Sequence, residues 1–497
     1  MNTLKKFRHL FDPIDLTKGS ILKDMVIFLI PILLSMVFQQ IYTTTDAIVV
    51  GQNLGPNEIA GINDVGPLSG FALQFAIGCT SGFSVIIANK IGEANLEDAR
   101  KSFLMQIILS LIISVVLTVA FCLLTDPLLS LMKIVPSSSD SNKEAIYQAA
   151  HDYLFIIYLG IICQMAYNQI FSVLRALGDS YTPFLFLVLG TVLNIFLDIL
   201  FIVPLKWGVA GSAWATILSE LLAAAGCYIY AFLKYPFLRF RKGDGKVSWP
   251  FIYKHLRLGL PLGFQFSILE IGIIIMQMAV IAYDFDPNGL AVVGAPAQVG
   301  YSVSNRVNYI IMNVYIALGD AMLTYMGQND GAKEYGRIKE GLKISLLIGA
   351  VSWVVLTTVG LLLTIHGAYL YIFLKPDNIT PEVMAYGNEY LYISVPCDFF
   401  LMILFICRNC LQGLNKPLFP FLAGVGELVA RSLICLYLPA QVNGGPINSE
   451  ASALSYYVTC SADALAWIVA AAIMIVPLIL VIRNRMKKNP ETVPNRA

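Results

Sequence analysis

Long hydrophobic runs separated by short polar breaks recur from one end of the chain to the other. Twelve of them span roughly 20–35 residues, enough to cross a hydrocarbon layer as helices. They lie near 25–50, 59–88, 102–124, 147–174, 183–203, 208–233, 255–283, 289–323, 343–374, 388–413, 417–438 and 451–482. The second and eighth runs are the least apolar and are rich in Gly, Ser and Asn. That composition suits helices packed within a bundle rather than facing lipid. The pattern predicts an all-α integral membrane protein with twelve transmembrane helices.

The runs also repeat. Shifted by 237 residues, HDYLFIIYLG (151–160) lies over NEYLYISVPC (388–397), and SVLRALGDSYTPFL (172–185) over NCLQGLNKPLFPFL (409–422). Arg100 falls on Arg337. An even number of spans per repeat makes the halves parallel, related by an axis along the membrane normal. The expected architecture is two pseudo-symmetric six-helix lobes around a central cleft. Residues 1–233 form the N-lobe, 234–254 a basic linker, 255–482 the C-lobe and 483–497 a tail.

Composition agrees with this class. Of 497 residues 57% are hydrophobic and 13% charged, about half the charge of a soluble protein. The net charge of +1 gives no field for nucleic acid. Charge placement carries more information. Lys and Arg crowd the N-terminus, alternate loops, the linker and the tail, while the intervening loops hold only Lys133, Lys143, Lys206 and Lys375. The positive-inside rule places both termini in the cytoplasm of a multi-pass cell-membrane protein.

The chemistry worth attention is what remains charged inside the spans. Asp46 sits in YTTTDAIVVG (42–51), toward the end of the first run. A carboxylate at that depth costs several kcal/mol unless it is protonated, paired or hydrated. Asn194 and Asp198, four apart in the fifth run, share one helix face. Both helices run outward, so all three residues lie in the outer half, where they can line one pocket. Two carboxylates gathered in low dielectric call for a shared proton or a cation. That makes Asp46, Asn194 and Asp198 a candidate H⁺ or Na⁺ site, to which Thr216 adds a hydroxyl. The sequence assigns Glu220 no role. In the second half Glu270, Asp398, Glu427 and Arg431 are polar at depth. The i,i+4 spacing of Glu427 and Arg431 favours an ion pair. Arg431 aligns with Asn194, so the two lobes differ in chemistry. Met276, Met278, Phe264 and Phe266 are candidates for an adaptable cleft lining.

Nine cysteines fall in apolar segments and read as small buried hydrophobes. Four scattered histidines form no metal cluster. There is no GxxxxGK[ST], no HExxH and no nucleophile elbow, so neither an ATPase nor a hydrolytic enzyme is expected. No cofactor is called for beyond a coupling ion. Partners are small organic substrates and membrane lipids, and a monomer is expected.

TDAIVVG (45–51), SGFSVIIANKIGEAN (81–95), LRALGDSYTP (174–183), LNIFLD (193–198), GVAGSAWAT (208–216), MGQNDGAKEYGRIKEG (326–341), LQGLNKPLFP (411–420) and GELVAR (426–431) follow one another in order. Together they resemble the multidrug and toxic compound extrusion family, in a bacterial DinF/NorM-like branch. The resemblance implies an antiporter that exports organic, often cationic, compounds against H⁺ or Na⁺. It implies that Asp46, Asn194, Asp198 and Thr216 hold the ion. Glu270 matches the acidic position of a second-lobe site; Asp398 lies about a turn from its counterpart, and Gln412 stands where the family carries Arg. The N-lobe site is therefore favoured. The alternative is a lipid-linked oligosaccharide flippase of the wider superfamily, which would want more Arg and Lys at depth. A passive channel and an intramembrane enzyme fit the residues less well.

Overall fold

A computed structural model describes residues 12–136 and 140–488. The first eleven residues and the last nine, with part of the expected tail, lie outside them. The described chain is helical throughout, apart from one isolated β-bridge between Phe285 and Ala291. Eleven helices are long and apolar enough to cross a membrane; a bent pair makes a twelfth. The helical, membrane-spanning class expected from the hydrophobic pattern is thus observed.

The helices are α1 (Ile21–Asn53), α2 (Pro56–Asp64), α3 (Gly66–Gly92), α4 (Leu96–Leu123), α5 (Thr125–Leu131), α6 (Ser141–Leu159), α7 (Ile161–Ala176), α8 (Tyr181–Ile202) and α9 (Gly208–Lys234). They continue with α10 (Trp249–Ile281), α11 (Pro296–Gly331), α12 (Tyr335–Leu363), α13 (Leu370–Phe373), α14 (Pro381–Gly413), α15 (Leu418–Asn443) and α16 (Ala453–Lys488). Three spans differ from the hydrophobic runs. The second breaks at Val65 into α2 and α3, because Pro67 opens a new helix where its missing N–H costs nothing. The fourth bends by 47° at Gly160, between α6 and α7. The run at 289–323 becomes helical only from Pro296: Asp286 accepts from the Leu290 N–H in the segment before it, and Asp284 accepts from the Ala297 and Gln298 N–H groups of the helix's first turn.

The helix bounds follow the repeat offset. Moved by the 237-residue offset, α4 lands on α12 and α8 on α15. The bend at Gly160 has no equal in α14, whose matching residue Cys397 lies within one continuous helix despite Pro396. α3 and α11 are among the most buried spans, at 67% and 61% of their apolar windows. Their Gly- and Ser-rich composition reflects that position.

Two compact units emerge. One comprises Met1–Ser267 with Thr324–Glu334, the other Ile268–Leu323 with Tyr335–Ala497, so the division falls within α10 and α11. In the first unit a knot of backbone-directed bonds closes the end nearest the N-terminus. Asn89 donates to the Gly327 carbonyl at 2.7 Å, Gln328 to Ala176 at 2.9 Å and Asn329 to Leu16 at 3.1 Å. Gly92 and Gly331 cross there so closely that a Cβ on either would strike backbone. The linker is anchored as well. Arg100, buried at the start of α4, holds Asp244 with two bonds of 2.8 and 3.0 Å. In return the guanidinium holds the Asp244 carboxyl below the usual carboxylate range. Buried Asp179 gathers Thr182, Lys234 and Tyr235, each at 2.7 Å.

Candidate functional site

The first-unit site is built by the α8–α9 hairpin. α8 ends at Ile202 and α9 starts at Gly208, leaving five residues to reverse the chain. Lys206 and Gly208 both take positive φ to do so, and Phe201 stacks on Trp207 at 4.7 Å. At Gly211 a Cβ would sit 3.2 Å from both rings' Cβ atoms, tighter than ordinary packing. The GVAG stretch therefore lets the two helices approach closely. A hairpin fixed at that turn sets its own register, and Thr191 of α8 shares a cavity wall with Ser219 and Glu220 of α9. α1 packs along α8 and supplies Tyr42 and Asp46 to the same face.

The structure brings Asp46 and Asp198 into direct electrostatic range of each other, with Asn194 beside Asp198. Asn194 and Asp198 are completely buried. Neither carboxylate oxygen of Asp198 and neither amide atom of Asn194 meets hydrogen-bond geometry with any protein group. Asp46 is half-buried and accepts a 3.4 Å bond from Ser212. Thr216 exchanges a 3.2 Å bond with Tyr42, just along the ladder. Asp46, Asn194 and Asp198 thus come together with Ser212, and Thr216 joins through Tyr42, which lies in electrostatic range of Asp46; the sequence reading named neither Ser212 nor Tyr42. Their signal was legible: Ser212, Thr216 and Glu220 recur every four residues and line one stripe of α9.

The threonines preceding Asp46 do not take part. Thr43, Thr44 and Thr45 bond back to the Gln40 and Ile41 carbonyls of their own helix, and the first two are exposed. Such back-bonding is the usual recourse of a mid-helix Thr.

The second unit has a different arrangement. Glu427 and Arg431 pair at 3.0 Å, as their spacing predicts. Arg408 reaches Glu427 at 3.1 Å and Arg431 reaches Asp463 at 2.7 Å. Two acids and two guanidinium groups make a closed, neutral chain, in which Arg408 and Asp463 join the pair that the spacing announces. Gly272 of α10 makes room for Arg431, since a Cβ there would strike its guanidinium. Glu270, two residues away, is half-buried and within range of Tyr309. Asp398 is fully buried without a guanidinium partner, facing Asn308 without hydrogen-bond geometry and within electrostatic range of Asp463. The four C-lobe candidates do not act as one group: Glu427 and Arg431 neutralise each other.

The suggested cleft lining also separates. Met276 is buried against Cys435, Met278 is 67% exposed, and Phe264 lies half out against Phe75. Met276 and Met278, two positions apart, occupy different sides of one helix.

The Asp46–Asp198 site suits a proton or Na⁺ by its donor set: carboxylates, an amide and hydroxyls, all hard oxygen ligands. Among the described residues no cluster of three His, Cys, Asp or Glu side chains is suited to a transition metal.

The model of a single family, MatE, matches residues 31–200 and 261–436, more than half of the chain. The chain is 28% identical to the "Probable multidrug resistance protein YoeA" of Bacillus subtilis (strain 168), over 67% of this chain and 71% of that protein. It is 25% identical to the "Probable multidrug resistance protein NorM" of Thermotoga maritima, over 80% and 82%. Among solved structures, the outward-facing conformation of a multidrug resistance MATE family transporter superposes with a TM-score of 0.80 at 21% identity, covering 96% of this chain and 99% of that one.

Proposed function

The chain belongs to the MatE family of membrane transporters, and from that premise we propose that it is a secondary antiporter, exporting organic, often cationic, compounds in exchange for H⁺ or Na⁺. The observation that carries the reading is the Asp46–Asp198 pair, closed in by Asn194, with buried oxygens that no protein donor satisfies. Like charges about 4 Å apart repel by about 4 kcal/mol at an effective dielectric of 20. A proton or Na⁺ entering between them removes that repulsion and draws α1 toward α8. An ion drives transport only if it binds one conformation more tightly than the other. Here the differential lies in how closely α1 lies on the α8–α9 hairpin. With the ion bound the two helices close on each other; with it gone they part, and the carboxylates become available to a cationic substrate. Alternating access follows when the two states open to opposite sides of the membrane. The termini and the linker are assigned to the cytoplasm of the cell membrane, and the protein acts as a monomer without a cofactor.

Several of the relatives found are named for multidrug resistance and one, of Shewanella oneidensis, is named an FAD transporter; these names lend no support to lipid-linked oligosaccharide flipping. The absence of a phosphate-binding loop from the sequence leaves an ion gradient as the energy source. The test is uptake of a fluorescent organic cation such as ethidium into proteoliposomes, with H⁺ and Na⁺ gradients imposed separately. Wild-type protein is expected to respond to at least one gradient and Asp46→Asn to neither, while remaining folded by circular dichroism. Gradient-driven uptake by Asp46→Asn at the wild-type rate would refute the assignment.

A further inference from the structure

A third carboxylate in the first unit is not used by the mechanism above. Glu220 lies two turns along α9 from Ser212, about 12 Å on at 1.5 Å per residue. That is too far for one ion to touch both ends. Glu220 lines a cavity of about 40 Å³ together with Gln39, Tyr42, Tyr167, Thr191 and Ser219. A water needs about 10–15 Å³ by this measure. The cavity therefore admits a few waters or one partly hydrated small cation, and no drug-sized molecule.

Its wall is suited to a cation. Every polar group lining it is neutral except the Glu220 carboxylate. The groups that face Glu220 from each packed helix are Tyr42 of α1, Tyr153 of α6, Cys163, Gln164 and Tyr167 of α7, and Thr191 of α8. No Lys or Arg is among them. Gln164 approaches the carboxylate, yet Oε2 of Glu220 and Oε1 of Gln164 are buried without a hydrogen-bond partner. In the second unit, by contrast, buried Glu427 has two guanidinium partners. A structural glutamate at this depth would be matched in the same way.

We infer that Glu220 and its cavity form a second small-cation site, for H⁺ or Na⁺, distinct from Asp46 and Asp198 and linked to them through the Tyr42–Thr216 hydrogen bond. Tyr42 belongs to both places: its hydroxyl meets Thr216, and its ring lines the Glu220 cavity. Asp198, Thr216 and Glu220 then form a ladder along which an ion passes toward the end of the bundle that carries the N-terminus. The inference rests on the antiport reading and adds a station to it.

Infrared difference spectroscopy of reconstituted full-length protein tests it. One arm titrates pH in choline buffer without Na⁺; the other adds Na⁺ at fixed pH. The expected result is two carboxyl signals, one removed by Asp198→Asn and the other by Glu220→Gln. A signal that Na⁺ removes identifies Na⁺ as a ligand; a signal responsive only to pH identifies H⁺. Either assigns a site. If Glu220→Gln retains every wild-type carboxyl signal in both arms, the inference is overturned. Should Glu220→Gln fail to fold, Glu220→Asp keeps a carboxyl in place, and its signal must shift while that of Asp198 stays. Failure here with Asp46→Asn still uncoupled removes only the second site; coupled transport by Asp46→Asn removes the antiport reading itself.

Discussion

Each unit gathers acids within its spanning helices, and the two clusters are compensated differently. In the first, Asp46 and Asp198 face each other and Glu220 lines a small cavity, none with a guanidinium in contact. In the second, Glu427 and Asp463 are held by Arg408 and Arg431 in a chain with no net charge. Within the membrane-spanning helices, the repeat has thus placed an uncompensated cluster, Asp46, Asp198 and Glu220, in one half and a compensated one, Glu427 and Asp463 with two arginines, in the other. The lesson is that architecture supplies depth, while charge compensation decides what that depth is for. A buried ion pair contributes little net stability, but breaking it is costly. An unpaired acid is costly from the outset and is retained where it binds something.

The comparison is broken most severely by neutralising one acid in each unit. Asp198→Asn is expected to reduce ion-driven uptake at least tenfold, equivalent to about 1.4 kcal/mol in the coupled step. Asp398→Asn should leave most of the coupling intact. Equal losses in the two variants, measured in the same proteoliposome assay, would erase the contrast between the units.

The second effect is on stability. Arg431→Met strands Asp463 and leaves Glu427 with Arg408 alone. Removing one partner of a buried ion pair costs about 3–5 kcal/mol, so the detergent-solubilised protein should melt at a markedly lower temperature. The double variant Arg431→Met with Asp463→Leu should recover much of the loss. An Arg431→Met protein that melts like wild type would show the arginine chain to be incidental.

The smallest effect concerns the Arg100–Asp244 clamp that ties the linker to the first unit. Its guanidinium lowers the Asp244 carboxyl below its unfolded value of about 4. The clamp's contribution is therefore complete above about pH 4 and is lost as pH falls through the lower, folded value. Asp244→Asn should lower the melting temperature by a few degrees at neutral pH, and the difference from wild type should vanish in strong acid. A difference that grows toward acid would contradict the sign of this linkage.

Much of the first-unit site is legible in the chain because it is carried on short, regular spacings. Asn194 and Asp198 share a face by i,i+4 geometry, and the helix count places Asp46 at the same level. The repeat offset likewise foretells that α4 matches α12 and α8 matches α15. Other features involve residues distant in sequence. Asp463 lies 32 residues from the arginine it holds, and Asp244 lies 144 residues from Arg100. No local pattern announces either pairing. The breaks at Val65 and Gly160 escape detection because hydropathy is summed over a window and does not see where a helix axis turns.

By itself the sequence determined that this protein crosses the membrane about a dozen times as helices, in two related halves, with acids at depth in both. The bilayer forces that result: hydrocarbon leaves the backbone no hydrogen-bond partners except its own, and charge no cheap location. Which of those acids meet a guanidinium, and which meet only one another and a small polar cavity, was decided by the tertiary structure alone. That choice depends on the close approach of α8 and α9 at Gly211 and on the room that Gly272 leaves for Arg431, distances that no spacing along the chain encodes.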